Sequence, residues 1–134
     1  MRPAELERLT VAEAADRYVE LVRARTLTGA LSASTAEVYA RDVATLVELA
    51  GAGVVLDDLT GQDVDAVLLA FARKPDGRRS RAGSEGGRPA EGGGQSASSQ
   101  ARFRRSISAL FKHAALAGWV QINPMTASTV TAKE

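Results

Sequence analysis

Arg102, Arg105 and Lys112 recur along the stretch "SSQARFRRSISALFKHAALAGWVQINP", Ser98 to Pro124, with Arg104 and His113 beside them and no acidic residue among them. Projected on a helix with Phe103 at zero, Ile107, Leu110 and Ala114 fall within about 40° of it, and Ser98, Arg102, Arg105, Ala109 and Lys112 gather on the opposite side. The chemistry such a face can do is polyanion contact. Guanidinium groups suit phosphates and guanine edges, hydroxyls suit phosphates, and interleaved Ser and Ala let a backbone approach closely, as an α-helix in a DNA major groove must. The competing reading is an ordinary solvated face, but solvated helix faces usually mix charge signs and this one does not.

A second set of groups starts at Ser34. Ser34 and Thr35 place hydroxyls beside the free N–H groups of a helix start, a natural phosphate site, and Arg41 projects from the polar side of the same segment. The alternative is plain helix capping with a solvated arginine, and Glu37 on the same polar side argues for that alternative.

Catalytic sets are missing. His113 is the one histidine and has no cysteine to work with, since the chain contains none; a lone helical histidine beside an apolar stripe reads as structural or surface. Tyr18 and Tyr39 occupy core-facing positions and read as packing residues. Asp42 lies near the core side of its segment, where a buried carboxylate requires a partner. "GSEGG" and "EGGGQ" lack the lysine and the strand-to-helix setting of a phosphate-cradling loop. No cofactor or metal site is expected. The charged start "MRPAELERLT" lacks the apolar core of a signal peptide, so the expected location is cytoplasmic, with no membrane contact.

Net charge is +1, but it is polarised. Residues 1–60 carry six Arg against ten acids, residues 61–95 six Lys or Arg against five, and residues 96–134 five against the single Glu134. The cationic face therefore belongs to the last third of the chain.

Four segments of helical periodicity must position these groups. Thr10 with Glu13 forms a capping box ahead of Val11, Ala15, Tyr18 and Val22. Ser34 or Thr35 is expected to cap the second helix, with Glu37 completing a box from Ser34; Tyr39, Val43, Leu46 and Ala50 line its face and Gly51 ends it. Thr60 with Asp63 precedes Val64, Val67, Leu68 and Phe71. The fourth helix runs from about Ser96 to Ala117, stopping at Gly118, and Trp119 is expected to pack over its end. Between the last two, residues 74–95 hold seven of the twelve glycines with Pro75 and Pro89, a composition that cannot offset its ordering entropy, so a mobile loop is expected. Residues 125–134 read as a polar tail. No internal repeat or heptad array is evident, and 134 residues make one domain.

Taken in order, "LTVAEAADRYVELVRAR", "SASTAEVYARDVATLVELAG", "LDDLTGQDVDAVLLAFA" and "SSQARFRRSISALFKHAALAGWVQINP" resemble the N-terminal core-binding (SAM-like) domain of tyrosine recombinases, or phage integrases. Ser34, Thr35, Tyr39, Asp42 and Leu46 match that family's second helix. Ser98, Ser99, Arg102, Ser106, Leu110, Phe111, Gly118 and the Asn123-Pro124 exit match its fourth. The resemblance implies an all-α orthogonal bundle of four to five helices whose second and fourth helices cross the major groove of duplex DNA. It also implies a catalytic domain that would follow in the parent protein, so this chain is expected to be a non-enzymatic DNA-binding fragment. Its expected partners are double-stranded DNA, its own catalytic domain and sister protomers. The contact residues are then Ser34, Thr35, Arg41, Ser98, Arg102, Arg105 and Lys112, with Arg78, Arg79 and Arg81 adding non-specific attraction. The rival reading is a helical protein-interaction module that docks an acidic partner on the cationic helix.

Overall fold

A computed structural model describes residues 8–75 and 94–127. Four α-helices make up most of it: α1 (Val11–Leu27), α2 (Ala33–Ala50), α3 (Gly61–Arg73) and α4 (Ala97–Ala117), with short 3-10 turns at Leu56–Asp58 and Pro124–Ala127. No β-strand is present among the described residues, apart from one isolated bridge between Thr10 and Val55.

Each helix begins where a side chain can replace a missing intrahelical acceptor. Thr10 Oγ1 accepts from Glu13 N, and Glu13 returns a carboxylate oxygen to Thr10 N. Thr60 and Asp63 do the same for α3. The start of α2 differs from expectation. Ser32, not Ser34 or Thr35, is the N-cap: its backbone is still extended (φ −76°, ψ 154°) and its Oγ accepts from Thr35 N. Glu37 closes no box; both its oxygens take the Arg23 guanidinium at 3.2 and 3.3 Å. Ser96 caps α4 through Ser99 N, and Gly118 ends that helix at φ 83°, a conformation that costs a Cβ-bearing residue energy.

The apolar stripes converge on one core. Tyr18, Val22, Val43, Leu46, Leu56, Phe103, Ile107, Leu110 and Phe111 are all but sealed from solvent, and Phe71 stacks on Phe103 with centroids 4.1 Å apart. Trp119 is buried over the end of α4 as expected. The exit is pinned by Asp57, which accepts from Gln121 N at 2.8 Å and from Gln121 Nε2 at 3.3 Å. The expected tail starts later than residue 125, because Met125 lies in the second 3-10 turn and packs on the core; residues 128–134 lie outside the described set.

Residues 76–93, with Arg78, Arg79 and Arg81, also lie outside it. The two flanks of that segment are held together: Gln95 N donates to Ala72 O (2.9 Å) and Gln95 Nε2 to Lys74 O (2.9 Å). Gly94 sits so close that a Cβ there would collide with the Ala72 carbonyl.

The caps expose an internal repeat that the linear pattern hides. "SAST" opens α2 and "SASS" opens α4, and in both the first Ser is the N-cap. Moving Asp42 onto Ser106, 64 residues on, carries Tyr39 onto Phe103, Arg41 onto Arg105, Val43 onto Ile107, Leu46 onto Leu110 and Ala50 onto Ala114. Leu9-Thr10-x-x-Glu13 before α1 likewise matches Leu59-Thr60-x-x-Asp63 before α3. The likeness lies in the caps and the sequence and does not extend to the packing: α1 lies along α2 far more extensively than α3 lies along α4, and α2 meets α3 more closely than α1 meets α4. Residues 28–32 join α1 to α2, whereas 74–96 join α3 to α4, so the extra length falls inside the second copy and masks the period.

Candidate nucleic-acid interface

Asp42 is the centre from which the interface is built. Its side chain is 2% exposed, and three donors from α4 converge on it: Arg102 Nε at 3.0 Å, Arg102 Nη2 at 2.8 Å and Ser106 Oγ at 2.7 Å. The expected partner of this carboxylate is thus a bidentate arginine backed by a buried hydroxyl, the geometry in which a buried ion pair offsets its desolvation. The hydrogen bond to Asp42 raises the Arg102 pKa above its ordinary value, against the opposing effect of burial and with the help of the carboxylate charge.

This pair locks α2 to α4, and it changes the standing of one expected contact residue. Arg102 commits two of its nitrogens to Asp42, and its side chain is one-third exposed. It positions the two helices instead of standing free on the cationic face. Arg105 and Lys112 remain exposed and pair with no described carboxylate. With Ser98, also exposed, they fall at i, i+7 and i+14 of α4, one line down its outer side. Arg41 is likewise exposed and without a described ion pair, and it precedes Asp42 in sequence as Arg105 precedes Ser106.

The hydroxyls of both helix starts are bound into their caps. Ser32 Oγ donates to Thr35 Oγ1 (2.9 Å) and lies 3.4 Å from Ser34 Oγ; Ser96 Oγ donates to Ser99 Oγ (3.1 Å) and lies 3.5 Å from Ser98 Oγ. Ser34 and Ser98 are exposed and Thr35 is half-buried. The nearby acid Glu37 is matched by Arg23, which removes the charge that argued against a phosphate at this end of α2.

The α1 side of α2 mixes its charges. An open groove between α1 and α2 is lined by Ala15, Val19, Ala40 and Val43, with Asp16, Glu20 and Arg23 as its charged groups.

His113 belongs to the packing, as its sequence position suggested. Its ring lies between Tyr18 (5.7 Å) and Trp119 (5.1 Å, edge-on). Burial, then the Arg25 charge, lowers its pKa below the ordinary 6.5. A folded-state pKa below the unfolded one contributes stability that is present above pH 6.5 and is lost as pH falls through the folded value. The melting temperature is therefore expected to drop as pH is lowered below 6.5. In His113→Gln that segment of the profile flattens, even if the variant is less stable throughout; an unchanged slope would assign the effect to other groups.

Comparison of the chain with protein-family models, with curated proteins and with solved structures finds no match. The fold and the site define an all-α domain with an exposed line of cations on its last helix. Among the described residues no helix is long and apolar enough to cross a membrane, and no cluster of three or more His, Asp or Glu could hold a metal ion.

Proposed function

We propose that this domain binds duplex DNA as the SAM-like core-binding module of a tyrosine recombinase, with strand cutting and rejoining left to a catalytic domain of the parent protein. The observation that carries the reading is the exposed line Ser98, Arg105, Lys112 on α4, whose cations have no ion-pair partner among the described residues, on a helix tied to α2 by the Asp42–Arg102 lock. A buried ion pair that ties two helices suits a protein that must present both at a fixed spacing to a rigid double helix. Arg41, Arg105 and Lys112 supply the cationic contacts, Ser34, Thr35 and Ser98 the hydroxyl contacts, and Arg102 holds the frame.

Three cations on phosphates release about three counterions, so log K for a labelled random-sequence duplex falls with log salt at a slope of about −3. Titrations at several salt concentrations measure it. Binding that ignores salt, or no binding at low salt, overturns the reading. Preferential capture of an acidic protein surface over duplex would favour the rival interaction module.

A further inference from the structure

We infer that Arg105 reads the sequence of the duplex, donating two guanidinium N–H groups to N7 and O6 of one guanine in the major groove, while Lys112 and Ser98 rest on phosphates to either side. The inference rests on the DNA-binding reading above and adds which residue of the line discriminates between sequences, and for which base. Ser98 and Lys112 are fourteen residues apart, about 21 Å along the helix. The major groove is about 12 Å wide, so a helix set across it keeps only the middle of such a line over base edges and carries both ends onto the backbones. A helix set along the groove gives the same order, because a straight rod comes nearest a curved duplex at its midpoint. Arg105 is that midpoint, seven residues from each end.

The surroundings of Arg105 suit a base reader. One turn to either side stand Ala101 and Ala109, with Ser108 beside them, all short and half-buried. Arg102, the one long side chain among the residues three and four away, is drawn to Asp42 by hydrogen bonds of 3.0 and 2.8 Å. Arg105 thus rises from a low stretch of helix, no described carboxylate pairs with it, and the backbone beneath it is open to close approach. End-on entry of α4 has no such reader. Its first turn, from Ala97 to Gln100, holds no cation; the hydroxyls of Ser98 and Ser99 lie 3.5 and 3.1 Å from that of the cap Ser96, and Gln100 donates its amide N–H to Gln95 O. The division of roles follows from the head groups: the planar guanidinium fork matches the two acceptors of guanine, whereas an ammonium is a point charge suited to phosphate. On an unrelated sequence Arg105 rests on a phosphate as Lys112 does, and at its own site it exchanges that phosphate for guanine.

The test begins with selection of bound duplexes from a randomised pool by the wild type, Arg105→Ala and Lys112→Ala. The wild type is expected to enrich a G·C pair that Lys112→Ala also enriches and Arg105→Ala does not. On the selected duplex Arg105→Ala weakens binding about tenfold. Replacing the guanine of that pair with 7-deazaguanine, which lacks the N7 acceptor, weakens the wild type about fivefold but Arg105→Ala less than about twofold. Lys112→Ala weakens selected and unrelated duplexes by the same factor. The wild-type salt slope is shallower by about 0.9 on the selected duplex than on an unrelated one. Thermal unfolding of both variants should match the wild type, because both side chains are exposed. An Arg105→Ala protein that still enriches the pair overturns the inference, as does a pair lost in Lys112→Ala instead, an equal salt slope on both duplexes, or equal sensitivity of wild type and Arg105→Ala to 7-deazaguanine. A wild type that binds duplex but enriches no G·C pair overturns it too, and leaves the DNA-binding reading standing. A wild type that binds no duplex overturns that reading itself.

Discussion

Replacing Arg102 with methionine is expected to remove about 3–5 kcal/mol of unfolding free energy. The Asp42 carboxylate would be left with Ser106 Oγ alone, at a position only 2% open to water. For a domain whose total stability is on the order of 5–15 kcal/mol, that is a change between folded and marginal. The reverse truncation is milder. In Asp42→Ala the arginine, already one-third exposed, swings to solvent, and the main penalty is an unsatisfied Ser106 hydroxyl of about 1–3 kcal/mol. The double variant Asp42→Asn/Arg102→Met recovers most of the loss, because it removes both charges. Urea melts of the three variants test the order. An Arg102→Met protein as stable as the wild type would mean that the pair contributes nothing to the frame.

Charge reversal at Arg105 and Lys112 should have the largest effect on binding. Each side chain is exposed and has no ion-pair partner among the described residues, so Arg105→Glu/Lys112→Glu leaves the core and the Asp42 lock untouched. Losing each contact costs about 1–3 kcal/mol, and the new carboxylates add repulsion from the phosphates. The double variant should bind duplex at least about 100-fold more weakly at low salt, with an unaltered melting temperature. Electrophoretic mobility shift and thermal melts on one preparation separate the two effects. Wild-type affinity in this variant would place the contact face elsewhere.

The helices and three of their four starts are legible in the sequence because capping is local chemistry. Thr10 with Glu13 and Thr60 with Asp63 specify their own geometry, and α4 starts at Ser96 as expected, although Ser98 and Ser99 stand beside it just as Ser34 and Thr35 stand beside Ser32. At α2 three hydroxyls compete within "SAST", and the choice falls on Ser32, the residue whose backbone is still extended. That cannot be read from residue types alone. The need of Asp42 for a partner follows from burial, yet the partner stands 60 residues away. A wheel drawn for α4 alone sets Arg102 on the polar side, because it knows only where that helix meets the core and not that α2 lies along its flank. The repeat escapes a linear reading for a related reason: sequence comparison needs a constant period, and the segment between Lys74 and Gln95 breaks it. The matching caps of α2 and α4 restore the correspondence.

The clasp at Ala72, Lys74, Gly94 and Gln95 has a practical consequence. Because hydrogen bonds to the last turn of α3 hold the re-entry point, whatever is spliced between those ends inherits a doorway already closed by the host. A fluorescent or affinity cargo whose own termini lie side by side would join there without levering α3 and α4 apart.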